Sequence, residues 1–215
     1  MAYLRRRRWL ELLCLDHPGL GKLAARLKGR GAGPAPAEQW DALYRSGDYD
    51  RLALSHQRHH HRMLAAFVGE AAPNPRVLEI GCGEGMFLQA LGPFTPRSYL
   101  GVDLSPLGIE RAHARWKRAP DVGFILGDGR TFVPDGEFDA IVFAECLEYL
   151  GPLPELLQHY GRFLAPGGVF GFSQRLSVPS LGLWREMRAL SAIDQEALVM
   201  APWGGAWQVW TCRPK

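Results

Sequence analysis

Short apolar segments alternate with helix-like segments along residues 76–173, and this alternation constrains the fold more than any other feature of the chain. The predicted strands are residues 76–80, 98–102, 122–126, 138–143 and 168–173. The predicted helices between them lie near residues 84–91, 105–118 and 153–164. Alternation at this spacing is typical of parallel strands in one sheet with helices on both faces, so we predict an α/β fold.

The sequence before this region predicts a basic arm that a linker joins to the main domain. Residues 1–30 contain eight Lys or Arg and two acidic residues, so this segment carries +6, whereas the whole chain carries +3. Apolar residues at helical spacing predict two short helices in the arm, and a Gly- and Pro-rich stretch follows them. We assign the arm and linker to residues 1–38 and one domain, which opens with a further helical region, to residues 39–215.

Composition and cysteine positions bear on the cellular compartment. The 47% hydrophobic and 22% charged residues are ordinary for a chain of 215 residues with a sizeable core. The four cysteines form no close pair and no metal-knuckle spacing, so we expect a reduced, cytoplasmic environment. No apolar run reaches the roughly 18 to 20 residues that cross a bilayer, and we expect neither a transmembrane segment nor a signal peptide. The sequence indicates no oligomeric state.

The segment VLEIGCGEGMFLQAL places three glycines and a carboxylate where the first predicted strand meets a helix. These glycines are Gly81, Gly83 and Gly85. They allow the backbone to approach a ligand closely, and the helix offers free N–H groups at its start. A dinucleotide fingerprint would have its third glycine where Met86 stands, so the spacing disfavours a nicotinamide cofactor. Glu79 would repel a pyrophosphate and favours a ligand with an ammonium group.

From this turn onward the chain resembles the class I S-adenosylmethionine-dependent methyltransferases, over about residues 39–215. Four later segments of the chain resemble the family's motifs in the family's order. They are YLGVDLS with Asp103, FILGDGRTF with Asp128, FDAIVFAECLEYL and LLQHYGRFLAPGGVFGFS. The resemblance implies a Rossmann-like sheet of seven strands in the order 3-2-1-4-5-7-6, with strand 7 antiparallel in a hairpin around Gly204 and Gly205. Three tryptophans are predicted to lie in the hairpin core: Trp203, Trp207 and Trp210.

The same resemblance implies a site for S-adenosylmethionine and its product S-adenosylhomocysteine. In the family, the residue at Asp103 binds both ribose hydroxyls and the residue at Asp128 binds the adenine amine, which suits carboxylate acceptors. Glu79 would meet the ammonium of the methionine part, and Arg58 would meet its carboxylate. Two other arginines could replace Arg58 in this role: Arg51 and Arg62. The full predicted set is Arg58, Glu79, Gly81, Cys82, Gly83, Gly85, Asp103, Leu104, Asp128, Gly129, Ala144 and Glu145.

The expected methyl acceptor is a small molecule, such as a secondary metabolite, a sugar or a carrier-bound intermediate, that reacts at oxygen or nitrogen. Glu145, directly after the fourth strand, is the first candidate for a general base, and His159 is the second. Glu145 and Glu148 resemble part of a Glu-x-x-Glu-His metal site, but Tyr149 replaces the histidine, so we expect no metal. The histidines at 59–61 point in different directions on a helix, which predicts a solvated face.

Two other function classes stay open at the level of the sequence. An RNA or protein methyltransferase could use the arginine-rich arm, yet AECLEYL lacks the Asn/Asp-Pro-Pro-aromatic motif of nucleobase amino methylation, so nucleic acid is not the expected partner. A non-catalytic S-adenosylmethionine-binding protein also stays open, because a cofactor site does not prove turnover. The arm, residues 1–30, could dock on an acidic carrier protein or an anionic surface, or could pack as a solubilising helix.

Overall fold

The computed structural model describes residues 35–50, 58–201 and 205–215. The arm, most of the linker, Arg51 and Trp203 therefore lie outside the described residues. The strands are β1 Arg76–Ile80, β2 Ser98–Asp103, β3 Val122–Leu126, β4 Phe138–Ala144, β5 Leu164–Arg175, β6 Ser191–Met200 and β7 Ala206–Pro214. The α-helices are α1 Ala37–Ser46, α2 His59–Ala71, α3 Met86–Leu91, α4 Pro106–Arg115, α5 Leu153–Gly161 and α6 Val178–Leu190.

The described strands form one sheet in the order β3-β2-β1-β4-β5-β7-β6. Strands β1 to β5 pair in parallel, whereas β7 lies antiparallel to both β5 and β6. The predicted sheet order and the antiparallel last strand are confirmed. This order reverses direction between β1 and β4, and open α/β sheets bind ligands at the carboxyl ends of the strands beside such a point.

Helices cover both faces of the sheet, as predicted. On one face, α2, α3 and α4 bury a core that includes Leu64, Phe87 and Ile109. On the other face, α5 and α6 bury a second core that includes Tyr160 and Met187. The two cores hold the central strands rigidly, so side chains at the strand ends have fixed positions. In the described residues, no helix has the length and apolar character that a membrane crossing requires.

Helix α1 is fixed against the start of α4 by a buried carboxylate. Asp41 accepts hydrogen bonds from the Ser105 hydroxyl and from the Leu107 N–H, the latter at 3.2 Å. Ser105 also caps α4, because its Oγ accepts from the Gly108 N–H at 2.9 Å. These bonds place α1 over the carboxyl ends of β1 and β2. The predicted domain start at residue 39 falls inside α1, which begins at Ala37.

Strand β5 begins earlier than the predicted residue 168. Leu164 pairs with Phe138, and the register then shifts so that Val169 pairs with Ala140. The extra residues form an irregularity in which Gly167 has a φ of 80°, a left-handed conformation that glycine adopts without strain. The turn-like sequence APGG is therefore accommodated within the strand rather than before it.

Candidate active site

The glycine turn after β1 has the conformation that its sequence predicts. Gly81, Gly83 and Gly85 have φ values of 74°, 52° and 77°, which side chains rarely adopt. A Cβ atom on Gly81 would lie 2.8 Å from the Cys146 Cβ, and one on Gly83 would lie 2.7 Å from the Tyr44 hydroxyl. Glycine is therefore required here by backbone conformation and by space.

A cavity of about 610 Å³ opens beside this turn, at the carboxyl ends of β1 to β5. Its volume lies in the range of small-molecule and cofactor sites. Ten of the twelve predicted cofactor residues line it: Glu79, Gly81, Cys82, Gly83, Asp103, Leu104, Asp128, Gly129, Ala144 and Glu145. Arg58 and Gly85 are not among the lining residues. The fold thus brings these ten residues together from the carboxyl ends of β1, β2, β3 and β4.

Asp103 is held at the cavity wall by two backbone donors. Its Oδ2 accepts from the Gly83 N–H and its Oδ1 accepts from the Ser105 N–H, both at 2.8 Å. Burial raises the pKa of the Asp103 carboxyl, and these hydrogen bonds oppose the rise. Each carboxylate oxygen keeps a second lone pair, so Asp103 can accept two further donors from a ligand such as a diol.

Glu79 is a buried carboxyl whose only described hydrogen-bond donor is the Tyr99 hydroxyl. Burial, with the nearby charge of Asp103, raises the pKa of Glu79 to about 8, although the Tyr99 hydrogen bond opposes this. No lysine or arginine in the described ranges forms an ion pair with Glu79. A cationic group that entered the cavity would therefore be the first positive partner of this carboxyl.

Asp128 forms an ion pair that the sequence analysis did not foresee. The Arg130 backbone N–H and Nε donate to its Oδ1, both at 2.9 Å, and the guanidinium also reaches Oδ2. These contacts hold the pKa of Asp128 below its usual range. Arg130 lines the cavity as well, so a ligand amine at Asp128 would share the carboxylate with Arg130.

Three predicted residues lie elsewhere. The Arg58 Nη1 donates to the Gln89 Oε1 at 2.7 Å. Gly85 lies under Trp116, because a Cβ there would be 2.5 Å from the indole nitrogen. The His159 Nε2 lies 2.7 Å from the Phe132 carbonyl oxygen, and His159 does not line the cavity.

His61 lines the cavity instead of Arg58. Its Nδ1 is buried and has no hydrogen-bond partner in the described part of the chain, and the same holds for the Arg58 Nε. Burial, together with the neighbouring charge of Arg58, lowers the pKa of His61 to about 4, so this imidazole is neutral at pH 7. The start of α2 therefore presents two unsatisfied polar groups close together.

The other half of the cavity centres on Glu145, which directly follows β4. Glu145 has a φ of 58°, a strained value for a residue with a side chain. Its N–H donates to the Ser173 carbonyl at 2.7 Å, and its Oε1 accepts from the Trp207 indole N–H at 2.7 Å. Strain of this kind persists where the surroundings fix the residue, often at functional sites.

His60 is one residue of this half that the sequence did not identify. Its Nε2 lies 3.5 Å from the Glu145 Oε2, and its Nδ1 lies 3.1 Å from the Ser173 Oγ. Its ring stacks on Trp207, with the centroids 4.8 Å apart. The prediction of a solvated face for residues 59–61 is wrong for His60, because this side chain is buried.

Aromatic side chains complete the cavity wall. Trp40, Tyr44, Tyr49 and Tyr149 line the cavity, and Trp40 meets Tyr149 edge to face with the ring centroids 4.7 Å apart. Trp40 and Tyr44 could have been recognised from the sequence, because they are four residues apart in the helical segment before the first strand and so share one face of a helix. Trp207 also lines the cavity. Trp210 is fully buried, as its predicted place in the hairpin core requires.

A family model for a methyltransferase domain matches residues 51–205, which is most of the chain. The chain belongs to this methyltransferase family. Nodulation protein S of Rhizobium tropici is 32% identical to the chain over 148 residues, which cover 66% of this chain and 61% of that protein. Malonyl-[acyl-carrier protein] O-methyltransferase 1 of Ilyobacter polytropus is 29% identical over 126 residues, which cover 58% of this chain and 47% of that protein. The chain thus spans less than two thirds of the length of either relative.

A solved structure has the same fold as this methyltransferase domain. The N-methyltransferase NodS from Bradyrhizobium japonicum WM9, in complex with S-adenosyl-L-homocysteine, matches with a TM-score of 0.64 at 23% identity. The match covers 76% of this chain and 90% of that chain. In the described residues of the methyltransferase domain, no group of three or more His, Cys, Asp or Glu is placed to hold a metal ion.

Proposed function

We propose that this chain transfers a methyl group from S-adenosylmethionine to a nitrogen or an oxygen of a small molecule. The observation that carries the proposal is a single cavity with two chemically different halves. One half contains the glycine turn, Glu79 and Asp103, and the other contains Glu145 among aromatic rings. Methyl transfer requires two ligands in line, and one continuous cavity allows both to bind beside each other.

The residues of the first half fit S-adenosylmethionine. Asp103 would accept both ribose hydroxyls, Glu79 would pair with the ammonium, and Asp128 would accept the adenine amine beside Arg130. Gly81 and Gly83 both line the cavity, so the backbone of the turn can lie directly against a ligand. When bound, this cofactor supplies an electrophilic methyl group on a sulfonium.

The start of α2 would hold the cofactor's carboxylate. The two buried polar atoms without described partners, Arg58 Nε and His61 Nδ1, support this assignment, as does the positive end of a helix of 13 residues. His61 can donate through Nδ1 in its neutral tautomer. The proposal therefore keeps Arg58 as a contributor of charge behind His61 rather than as a residue of the cavity wall.

Glu145 would take the proton that the acceptor loses. Trp207 holds one carboxylate oxygen at 2.7 Å, and His60 lies 3.5 Å from the other, so the carboxylate is oriented from two sides. An amine or a hydroxyl beside Glu145 would be deprotonated or aligned by it as the methyl group arrives. The aromatic walls exclude water and suit a cationic amine before it loses its proton.

S-adenosylhomocysteine is expected to raise the melting temperature of the protein, whereas NAD and NADP are expected to leave it unchanged. A ligand at about 100 times its dissociation constant adds roughly 2.7 kcal/mol to the free energy of unfolding, which a melting curve resolves. Differential scanning fluorimetry at matched concentrations makes the comparison. Stabilisation by NAD alone would overturn the assignment.

A screen for labelled methyl transfer to amines, alcohols and sugars then tests the acceptor class. Turnover with any of these supports the enzyme. Binding of S-adenosylhomocysteine without transfer to small molecules, RNA or protein would instead favour a non-catalytic binding protein. Transfer to RNA would restore the nucleic-acid alternative, and its salt dependence would report phosphate contacts by the arm.

We further propose that residues 1–30 dock the enzyme on an acidic carrier protein. The charge of +6 and a relative whose name includes an acyl-carrier protein support this. Removal of residues 1–30 is expected to leave the affinity for S-adenosylhomocysteine unchanged and to abolish salt-dependent binding to an acyl carrier protein in surface plasmon resonance. Replacing only the four arginines at 5–8 with glutamine is the matched control. If the shortened chain unfolds or loses cofactor affinity, the arm packs on the domain instead.

A further inference from the structure

One buried amide oxygen in the cavity wall accepts no hydrogen bond from the described residues. Gln174, the penultimate residue of β5, lines the cavity and is 3% exposed. Its Oε1 has no partner in the described part of the chain. A buried carbonyl oxygen without a donor is rare, because it loses its hydrogen bonds to water without replacement. Such an atom beside a cavity indicates a donor that arrives with a ligand.

Gln174 lies next to Glu145 at the carboxyl ends of two interior strands of the sheet. Ala144 pairs with Ser173 across β4 and β5, and the Glu145 N–H donates to the Ser173 carbonyl at 2.7 Å. Glu145 and Gln174 are therefore adjacent positions at the carboxyl ends of neighbouring strands. A molecule whose reacting atom faces Glu145 would have its neighbouring groups within reach of Gln174.

We propose that Gln174 determines acceptor specificity by accepting a hydrogen bond from a second N–H or O–H group on the methyl acceptor. This inference rests on the proposed function. The terminal amide rotates easily about its last side-chain bond, so a donor in the cavity can engage the carbonyl. The favoured substrates are then compounds with two polar donors, such as amino alcohols, rather than simple amines.

The chain offers a matched control in Gln208. Gln208 lies directly opposite Gln174 in the pairing of β5 with β7 and is 6% exposed. Its Oε1 also has no partner among the described residues, yet Gln208 does not line the cavity. The two glutamines share their chemistry, burial and strand environment, and they differ in access to the ligand. A purely structural role would give both substitutions the same effect.

Labelled methyl transfer to matched pairs of amines tests the proposal. The pairs are ethanolamine with ethylamine, aminopropanol with propylamine, and aminobutanol with butylamine, which vary the distance between amine and hydroxyl. The native enzyme is expected to prefer at least one amino alcohol by about tenfold in kcat/KM, the effect of one good hydrogen bond. Gln174→Met is expected to abolish that preference while the affinity for S-adenosylhomocysteine stays unchanged. Gln208→Met is expected to keep the preference.

The outcomes separate this inference from the function on which it rests. Equal kcat/KM values within every pair for the native enzyme would overturn the role of Gln174 without any variant. The same loss of preference in Gln174→Met and Gln208→Met would assign the effect to strand packing and would also overturn it. Transfer to none of the six amines would overturn the inference together with the amine as acceptor. The melting experiment with S-adenosylhomocysteine reports on the cofactor half independently.

Discussion

Glu145→Gln is expected to lower the rate of methyl transfer by about a hundredfold or more, while the affinity for S-adenosylhomocysteine stays nearly unchanged. The amide keeps the size of the side chain and can still accept the bond from the Trp207 indole, but it cannot take a proton. The strained φ of 58° at position 145 is a property of the backbone, so we expect it to be the same in the native protein and in the variant. A single-turnover measurement with saturating S-adenosylmethionine and an acceptor from the screen isolates the transfer step.

Glu148→Gln is the matched control for loss of negative charge in the same cavity. Glu148 also lines the cavity, but it lies on the short helix that follows Glu145. If charge alone matters, the two variants will lose similar activity. If Glu145 takes the proton, only its variant will lose most of the rate, and the native pH dependence will be flattened in that variant. An unchanged rate in Glu145→Gln between about pH 6 and pH 9 would leave alignment as the whole mechanism.

The cofactor half of the site could be predicted because its signals are local in the sequence. Glu79, the glycines and Asp103 each follow or end a strand that apolar alternation identifies. Parallel strands place their carboxyl ends at one edge, so these residues converge once the sheet order is known. The family resemblance supplied that order. The exchange of Arg58 for His61 in the cavity wall was not predictable in the same way, because it depends on how α2 is rotated about its axis.

The acceptor half was harder to predict because it is assembled from distant segments. His60 and Ser173 make contact although they are 113 residues apart in the chain. A local signal for His60 was nevertheless present. His60, Leu64 and Val68 recur every four residues, so they share one face of α2, and that face packs on the sheet. His60 therefore belongs to this apolar face, and its two histidine neighbours in the sequence lie on other faces of the helix.

Glu79 combines a cost to the unliganded fold with a benefit to cofactor binding. Its pKa rises from 4.5 to about 8 on folding, chiefly through burial. Between these values the folded protein binds a proton that the unfolded chain has released, so stability falls as pH rises from 4.5 to about 8. Each pH unit in this window costs on the order of 1 kcal/mol, so ionised Glu79 costs the unliganded fold roughly a few kcal/mol at pH 7. A cationic ligand that pairs with the ionised carboxyl removes part of this cost.

Glu79→Gln is therefore expected to have opposite effects on stability and on binding. Without ligand at pH 7, its melting temperature should exceed that of the native protein by on the order of 5 °C, and the pH dependence between 4.5 and about 8 should flatten. Its affinity for S-adenosylhomocysteine should fall by about tenfold to a hundredfold, because a charge-assisted bond to the ammonium is lost. Thermal melts across pH and isothermal titration calorimetry measure the two quantities.

Asp41→Asn is the control that gives the opposite sign for stability. Asp41 is also a buried carboxylate, but the Ser105 hydroxyl and the Leu107 N–H hold its pKa below the usual range, so the fold is stabilised by its charge. Neutralising it should lower the melting temperature at pH 7, and the loss should shrink only when the pH falls below the ordinary pKa of an aspartate, towards the lowered pKa of the folded state. If Glu79→Gln is also destabilising, Glu79 is ionised and paired in the unliganded protein. If the Glu79→Gln variant has an unchanged affinity for S-adenosylhomocysteine, the ammonium binds elsewhere. The burial of Glu79 then serves the fold through its hydrogen bond with Tyr99 alone.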